Sequence, residues 1–322
     1  MFKSIHRSDR VGCFMKLKIG TRGSKLALTQ SGWIKDQIEQ QHPDVQVELV
    51  RIKTKGDKIL DSPLSKIGGK GLFVKEIEEA LIRREVDLAV HSIKDVPGEL
   101  PDGLHLSVYP EREDPSDAFL SLEYSIFSDL PNGASVGTGS LRRSSQLLNM
   151  RPDLDIVAIR GNVDTRIKRM ESGELQGIIL AASGLNRLGL SRRISQLLPV
   201  EEFMPAIGQG SLGLEIREND EAVYSLISFL NHEPTQIAVR AERAFLKRLE
   251  GGCQVPIGGH AVLEGETIRL CGMVAELDGS MIIRDELKGE RQSPEILGIT
   301  LAQQLLDAGA GEILARAYGS SR

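Results

Sequence analysis

The strongest constraint on this chain is a repeated alternation over roughly the first two thirds of its 322 residues: a short apolar strand signal, a glycine- or serine-bearing turn, then an amphipathic helical stretch. Strands alternating with helices predict an α/β architecture built on mostly parallel sheets. "KLKIGTRGS" reads as strand then turn, and "SKLALTQSGWIKDQIEQQ" as a helix with Leu26, Trp33, Ile34 and Ile38 on or near one face. The strand "VQVELVRI", the helix "GLFVKEIEEALIRRE" and the strand "VDLAV" follow, the last opening into "HSIKDVPGELPDG", whose prolines and glycines forbid a continuing helix. Around "YPEREDPSDAF" a second unit begins and repeats the plan in "ASVGTGSLRRSSQLLNM", "DIVAIRGNVDTRIKRMESG" and "LQGIILAASGLNRLGL". The echo between "IGTRGS" and "VGTGSLRRS" suggests two similar lobes. Beyond "FMPAIGQGSLGLEI", the helical stretches "EAVYSLISFLNH" and "PTQIAVRAERAFLKRLEGG", short strands near residues 260 to 285 and a final helix at "ITLAQQLLDAGAGEILARA" predict a separate α+β domain. With 40% hydrophobic residues the chain is long enough for two or three such cores.

A net charge of −5 argues against a surface dominated by nucleic-acid phosphate contacts, so any bound anion must meet local cations. No apolar run approaches a membrane span, and "MFKSIHRSDRVGCFM" lacks the apolar segment of a secretory signal; it reads as a frayed tail, with Met15 a possible true start. A mitochondrial presequence fits less well because the stretch is short and contains Asp9. Cys13, Cys253 and Cys271 have no C-x-x-C spacing and the six histidines no H-E-x-x-H pair, so neither a disulfide framework nor a metal site is expected. A reducing, cytoplasmic compartment fits.

Arg22, Arg142, Arg143, Arg160, Arg166 and Arg187 all fall just after a strand signal, in or near the turn before the next helix or in its first turns. Ligands bind at the carboxyl ends of strands in open α/β sheets, and a guanidinium fork can hold a carboxylate with two hydrogen bonds. Any one of these arginines could simply be a solvated helix start; six at equivalent points suggest a ligand with several carboxylates or phosphates. "AVHSIKDVP" puts Lys94 and Asp95 just past an apolar strand. Asp95 there could stabilise positive charge or pyrrole-type N–H donors while catalysing proton transfer, or could cap a turn, the commoner fate of an Asp before Val-Pro. His91 reads as a packed, hydrogen-bonded histidine. "IGGKGLFVKEIEEAL" fails the phosphate-loop pattern, because Gly71 follows Lys70, and fits a lid or hinge better; "GQGSLG" matches G-x-G-x-x-G but follows no strand, so it reads as an interdomain crossing. Cys253, in "EGGCQVPIGG", sits among glycines that disfavour a core position; a catalytic thiolate and a covalent attachment point remain close alternatives.

Taken together and in order, "GTRGSKLAL", "GGKGLFVKE", "AVHSIKDVP", "EREDPSDAF", "SLRRSSQL", "RGNVDTR", "AIGQGSLG" and "EGGCQVPIGG" resemble the porphobilinogen deaminase (hydroxymethylbilane synthase) family, from about residue 16 to the C-terminus. The resemblance implies two doubly wound α/β lobes like those of type II periplasmic binding proteins plus a C-terminal α+β domain. The division expected is a disordered tail over 1–15, a first domain over 16–110 with 211–228, a second over 111–210 and a third over 229–322. It also implies a transferase of tetrapyrrole (heme) biosynthesis that joins four porphobilinogen molecules head to tail with loss of ammonia and hydrolytically releases hydroxymethylbilane. Cys253 would carry a dipyrromethane cofactor by a thioether, with Lys94, Asp95, Ser140, Arg142, Arg143 and Arg160 around it. Arg22, Ser24, Arg160, Arg166 and Arg187 would bind substrate. Asp95 would be catalytic, stabilising the azafulvenium formed on ammonia loss. Porphobilinogen and the growing polypyrrole are the only partners implied, with no nucleic acid, membrane or metal, and the chain is expected to be a cytoplasmic monomer. Gly139 stands where the family often has serine, and the first fourteen residues have no family counterpart. The competing reading is a two-lobed small-anion binding module without catalysis, which would need no reactive cysteine and would usually carry a signal peptide or a DNA-binding helix pair.

Overall fold

The structure is a computed structural model, and it describes residues 15–58, 71–250 and 255–319. The tail, the first part of the lid or hinge segment and Cys253 lie outside the described residues. Strand β1 (Met15–Thr21) enters helix α1 (Lys25–Gln41), whose N-terminus is capped by Ser24: its Oγ accepts the Ala27 N–H at 3.3 Å. Next come β2 (Val45–Arg51), a single turn α2 (Lys55–Lys58), α3 (Lys75–Ile82), β3 (Leu88–Ser92) and β4 (Leu104–Val108). A second series follows: β5 (Asp117–Leu120), β6 (Ser135–Thr138), α4 (Leu141–Met150), β7 (Asp155–Ala158), α5 (Val163–Glu171), β8 (Gly177–Ala181), α6 (Ala182–Arg187) and β9 (Gln196–Leu198). The chain then returns to the first sheet as β10 (Leu212–Arg217), followed by α7 (Glu221–Ile227).

The two five-stranded sheets have the orders β2-β1-β3-β10-β4 and β7-β6-β8-β5-β9. In each, the first three strands are parallel and the fourth runs against its neighbours. The echo seen in the sequence is therefore structural: β1 corresponds to β6, β3 to β8, and the strand arriving from the other lobe is β10 in one sheet and β5 in the other. The two lobes thus share one strand order and are joined by two crossings, as the two doubly wound α/β lobes expected from the sequence require. Each sheet is covered on both faces, the first by cores around Ile19, Ile34 and Leu214 and around Ile77 and Val86, the second by cores around Ile178 and Leu185 and around Phe119 and Leu147. Trp33, placed by its spacing near the buried face of α1, is 45% exposed; Gln30 and Ser31 occupy that face instead.

The crossings, residues 109–116 and 199–211, run side by side. Gly208 and Gly210 have φ of 68° and 89°, and a Cβ on them would come within 2.1 Å of the Ile93 side chain and 2.2 Å of the Glu113 carbonyl oxygen. Only glycine fits such an approach, which explains the G-x-G-x-x-G match without a dinucleotide.

The remaining unit starts with α8 (Glu233–Arg248) and continues as β11 (Ile257–Glu264), β12 (Thr267–Ala275) and β13 (Ile282–Glu290), an antiparallel sheet closed by α9 (Pro294–Leu305) and α10 (Gly311–Gly319). Its strands are longer than the short ones expected, and the expected single final helix is broken at Gly309. Phe245, Ile268 and Leu301 centre its core.

Candidate active site

The parallel strands deliver their carboxyl ends, and the residues just past them, to one edge of each lobe. In the first lobe, the buried run of β3 ends in a 3₁₀ turn over Ile93–Asp95. Ile93 is buried, its N–H donates to the Ser211 carbonyl at 3.0 Å, and the Val96 N–H donates back to the Ile93 carbonyl at 3.0 Å. That pins the turn and leaves Lys94 and Asp95 half-buried at the edge. Burial, then the charge of Arg143, brings the Lys94 ammonium down to about 8, while Asp95 and Asp117 oppose the shift. Burial likewise brings Arg166 down to about 10, with Arg143 and Arg160 adding to the effect and Asp95 opposing it. Lys94 and Asp95 of the first lobe thus lie within electrostatic reach of Arg143 and Arg166 of the second. The Asp95 carboxylate makes no hydrogen bond among the described residues.

In the second lobe, Ser140 caps α4, its Oγ accepting the Arg143 N–H at 3.4 Å. Arg142 and Arg143 are buried and share one carboxylate: Arg142 Nη2 lies 2.8 Å from Asp117 Oδ2, and Arg143 Nη2 2.6 Å from Asp117 Oδ1. Arg143 also donates to the Ile179 carbonyl at 3.1 Å, and Gln209 donates to Asp117 Oδ1 at 3.0 Å. Burial would raise the Asp117 carboxyl, but Arg142 and Arg143 hold it below the usual carboxylate range. Arg160, just past β7, has no hydrogen bond or ion pair among the described residues, and burial lowers it. Arg166, in the first turns of α5, spends one N–H on the Gly161 carbonyl at 2.9 Å. At Gly139 a Cβ would come within 2.5 Å of the Ile159 carbonyl oxygen, so any side chain at this position would require that carbonyl to move.

Three expected residues stand apart from this group. Arg22 pairs with Asp57 through Nη2 to Oδ1 at 2.6 Å, and its guanidinium lies 4.2 Å from the centre of the Phe73 ring. Ser24 is the α1 cap. Arg187 closes α6 and donates to the Gly210 carbonyl at 2.7 Å, with Glu113 opposing the lowering that burial imposes on it. The cations expected from sequence therefore form a central set (Lys94, Arg142, Arg143, Arg160, Arg166) and two flanking positions.

Sequence reasoning missed the carboxylates that hold these cations. Asp117 opens the wholly buried strand "DAFL", an unusual place for a charge and the one signal that could have singled it out. Glu242, also fully buried, pairs with Arg112 and accepts N–H groups from Gly208 at 2.6 Å and Ala261 at 2.8 Å, tying both crossings to the third unit. His91, expected to be packed and bonded, is buried with Nε2 2.8 Å from Glu215. Among the described residues no cluster of histidine, cysteine or acidic side chains is arranged to hold a metal, and no helix is long and apolar enough to cross a membrane.

Fold and site together define a two-lobed α/β protein with a third α+β unit, whose strand ends gather, among the described residues, more cations than carboxylates around an aspartate that makes no hydrogen bond there. Comparison with known proteins narrows the class. Residues 17–225 match the family model "Porphobilinogen deaminase, dipyromethane cofactor binding domain" and residues 236–307 match "Porphobilinogen deaminase, C-terminal domain". The chain is 55% identical to the porphobilinogen deaminase of Geobacter metallireducens over 94% of its own length and 95% of that protein's. It is also 55% identical to that of Nitratidesulfovibrio vulgaris, over 95% and 98%. Among solved structures, it resembles the methionine-binding protein MetQ with a TM-score of 0.44 and 14% identity, over 66% of this chain and 89% of that one. This chain belongs to the porphobilinogen deaminase family.

Proposed function

We propose that the strand-end edge shared by the two lobes is where this chain carries out the transferase reaction of its family, with Asp95 as the catalytic group. Four porphobilinogen molecules are joined head to tail with loss of ammonia, and hydroxymethylbilane is released by hydrolysis. Each porphobilinogen carries an acetate and a propionate, so every ring added brings two carboxylates into the site. What carries the reading is that Lys94 and Asp95, at the carboxyl end of β3 in one lobe, lie within electrostatic reach of Arg143 and Arg166, at the starts of α4 and α5 in the other.

Arg160 and Arg166 are suited to receive carboxylates, because Arg160 has no partner among the described residues and Arg166 gives only one N–H to backbone. Lys94 gains most from an arriving anion, which favours the ammonium that burial disfavours. Arg142 and Arg143, held by Asp117, supply fixed positive charge behind this layer at no reorganisation cost when the ligand arrives. Ser140 contributes by fixing the start of α4. The Asp95 carboxylate accepts pyrrole N–H donors and offsets the positive charge that develops on the substrate as ammonia leaves, while the cations around it orient the substrate by its carboxylates. At the flanks, Arg22, beside the Ser24 cap, and Arg187 take carboxylates of incoming or more distant rings.

The residues present fit a dipyrromethane, a tetracarboxylate, since Arg160 has no hydrogen bond or ion pair among the described residues and Arg166 gives only one N–H to a backbone carbonyl. Lys94, Arg142, Arg143, Arg160 and Ser140 would hold it, and it supplies the ring carbon to which the first porphobilinogen is joined. Cys253, outside the described residues, is proposed as its thioether anchor from its place in "EGGCQVPIGG". In this reading the lobes comprise 16–110 with 211–228 and 111–210, the third domain 229–322, and the protein works as a cytoplasmic monomer. Intact mass under denaturing conditions, for wild type beside Cys253→Ser, tests the anchor. A two-ring pyrrole adduct on wild type alone is expected; an adduct on both, or on neither after supply of porphobilinogen, contradicts it.

A further inference from the structure

Arg243, on α8, donates through Nη2 to the Pro97 carbonyl at 2.8 Å and the Gly98 carbonyl at 3.5 Å, and through Nη1 to the Val96 carbonyl at 3.4 Å. These are the three residues directly after Asp95. No carboxylate among the described residues pairs with Arg243, although burial disfavours its charge. A largely buried cation whose acceptors are the successive carbonyls of one turn stabilises the fold less well than a packed apolar side chain could. Its geometry instead addresses a specific need. The turn over Ile93–Asp95 closes with a single backbone bond, from the Val96 N–H to the Ile93 carbonyl, and Pro97 has no N–H to continue a ladder.

The residue before Arg243 holds the other side of the same turn. Glu242 accepts the Gly208 N–H at 2.6 Å, and Gly208 lies against Ile93. Adjacent residues of α8 thus grip the two segments that flank Asp95, and Lys247, one turn further on, reaches Glu99 at 3.2 Å. The helix ends at Arg248, five residues before Cys253 in sequence.

We propose that Arg243 is a positioning residue that fixes the Asp95 turn against α8, the helix that leads to the cofactor-bearing loop. It acts through the main chain, not by touching substrate. The inference rests on the assignment of Asp95 as the catalytic group, and a displacement of about 1 Å in such a group can lower turnover by up to about 100-fold.

The test compares Arg243→Ala, Arg243→Gln and Arg243→Lys with Asp95→Ala, measuring kcat per cofactor-loaded molecule, with loading read from intact mass. Arg243→Ala is expected to lower kcat by about 10- to 100-fold while KM for porphobilinogen changes by less than about twofold. Arg243→Gln, which keeps amide donors without charge, and Arg243→Lys are each expected to recover part of the loss. They also serve as readouts if the alanine variant does not fold. A wild-type kcat per loaded molecule in Arg243→Ala, or in Gln and Lys variants of an alanine protein that does not fold, overturns the proposal whatever the melting temperature. Turnover surviving in Asp95→Ala would instead remove the assignment on which it rests.

Discussion

The two lobes share one strand order yet hold their arginines in different ways. In the second lobe, Asp117 is fully buried and clasps Arg142 and Arg143, themselves only 4% and 7% exposed. In the first, Asp57 and Arg22 are both 21% exposed, and Asp57 has alternatives in the Thr54 hydroxyl at 2.8 Å and backbone N–H at 3.4 Å. The second lobe therefore presents a fixed cationic wall, whereas the first presents a fork that an incoming carboxylate can take over. The lobes also differ in their spare buried acids. Glu78, His91 and Glu215 form a cluster in the first lobe, where burial and then the Glu215 charge push the Glu78 carboxyl up to about 7, with no arginine among the described residues clasping it. What differs is the solvation of each pair, since one topology supports both arrangements.

The largest effect expected from this contrast is on stability. Asp117→Ala leaves two buried guanidinium groups without their counter-charge and should cost about 3–5 kcal/mol in denaturant unfolding. Asp57→Ala should cost about 1 kcal/mol or less, because the pair it breaks is partly solvated. Similar losses from the two substitutions would erase the distinction between wall and fork.

Next is the pH response of the edge itself. Burial and Arg143 lower Lys94 to about 8, so its charge is present below that pH and lost above it. Because the carboxylates of a bound dipyrromethane favour the Lys94 ammonium, uptake of the cofactor by the cofactor-free protein should slow several-fold between pH 8 and about pH 10 in wild type. Lys94→Arg should remove that alkaline limb, and a limb unmoved by the substitution would assign it to another group.

A smaller effect is expected from opening the fork. Asp57→Asn should lower KM for porphobilinogen by about two- to fivefold with kcat unchanged, the range set by a partly exposed ion pair worth up to about 1 kcal/mol. A raised KM would mean that Asp57 presents Arg22 to the substrate instead of competing for it.

The smallest concerns the unclasped acid. The fold holds the Glu78 proton more tightly than the unfolded chain, so this group's contribution to stability is present below pH 4.5 and is lost as pH rises through about 7. Glu78→Gln should raise the melting temperature by about 1–2 °C at pH 8 and leave it unchanged near pH 5. The opposite order of the two shifts would show that Glu78 is paired in its charged form.

Much of this organisation was legible in the sequence, for local reasons. β1 and β6 announce themselves because an apolar strand ending in Gly-Thr and a capping serine, Ser24 or Ser140, lie within a few residues. The positions of Lys94, Asp95, Arg160 and Arg166 followed from the same logic. The pairs that decide how free each arginine is were not legible, because Arg143 and Asp117 are 26 residues apart and Arg22 and Asp57 are 35 apart. No periodicity reports such a contact. In the third unit the sequence predicts shorter strands than form, because β13 turns many charged residues to solvent, which weakens the apolar signal. Arg243 escaped notice because its partners are carbonyls, and a carbonyl leaves no mark on residue type.

The central claim is that Asp95 performs the chemistry while the surrounding cations only hold the chain. Its most direct test is rapid-quench intact mass of wild type and Asp95→Ala after mixing with porphobilinogen. The account predicts stepwise one-ring increments on wild type, and on the variant a retained cofactor adduct with the increments slowed at least about 100-fold. Increments on Asp95→Ala at the wild-type rate would contradict it.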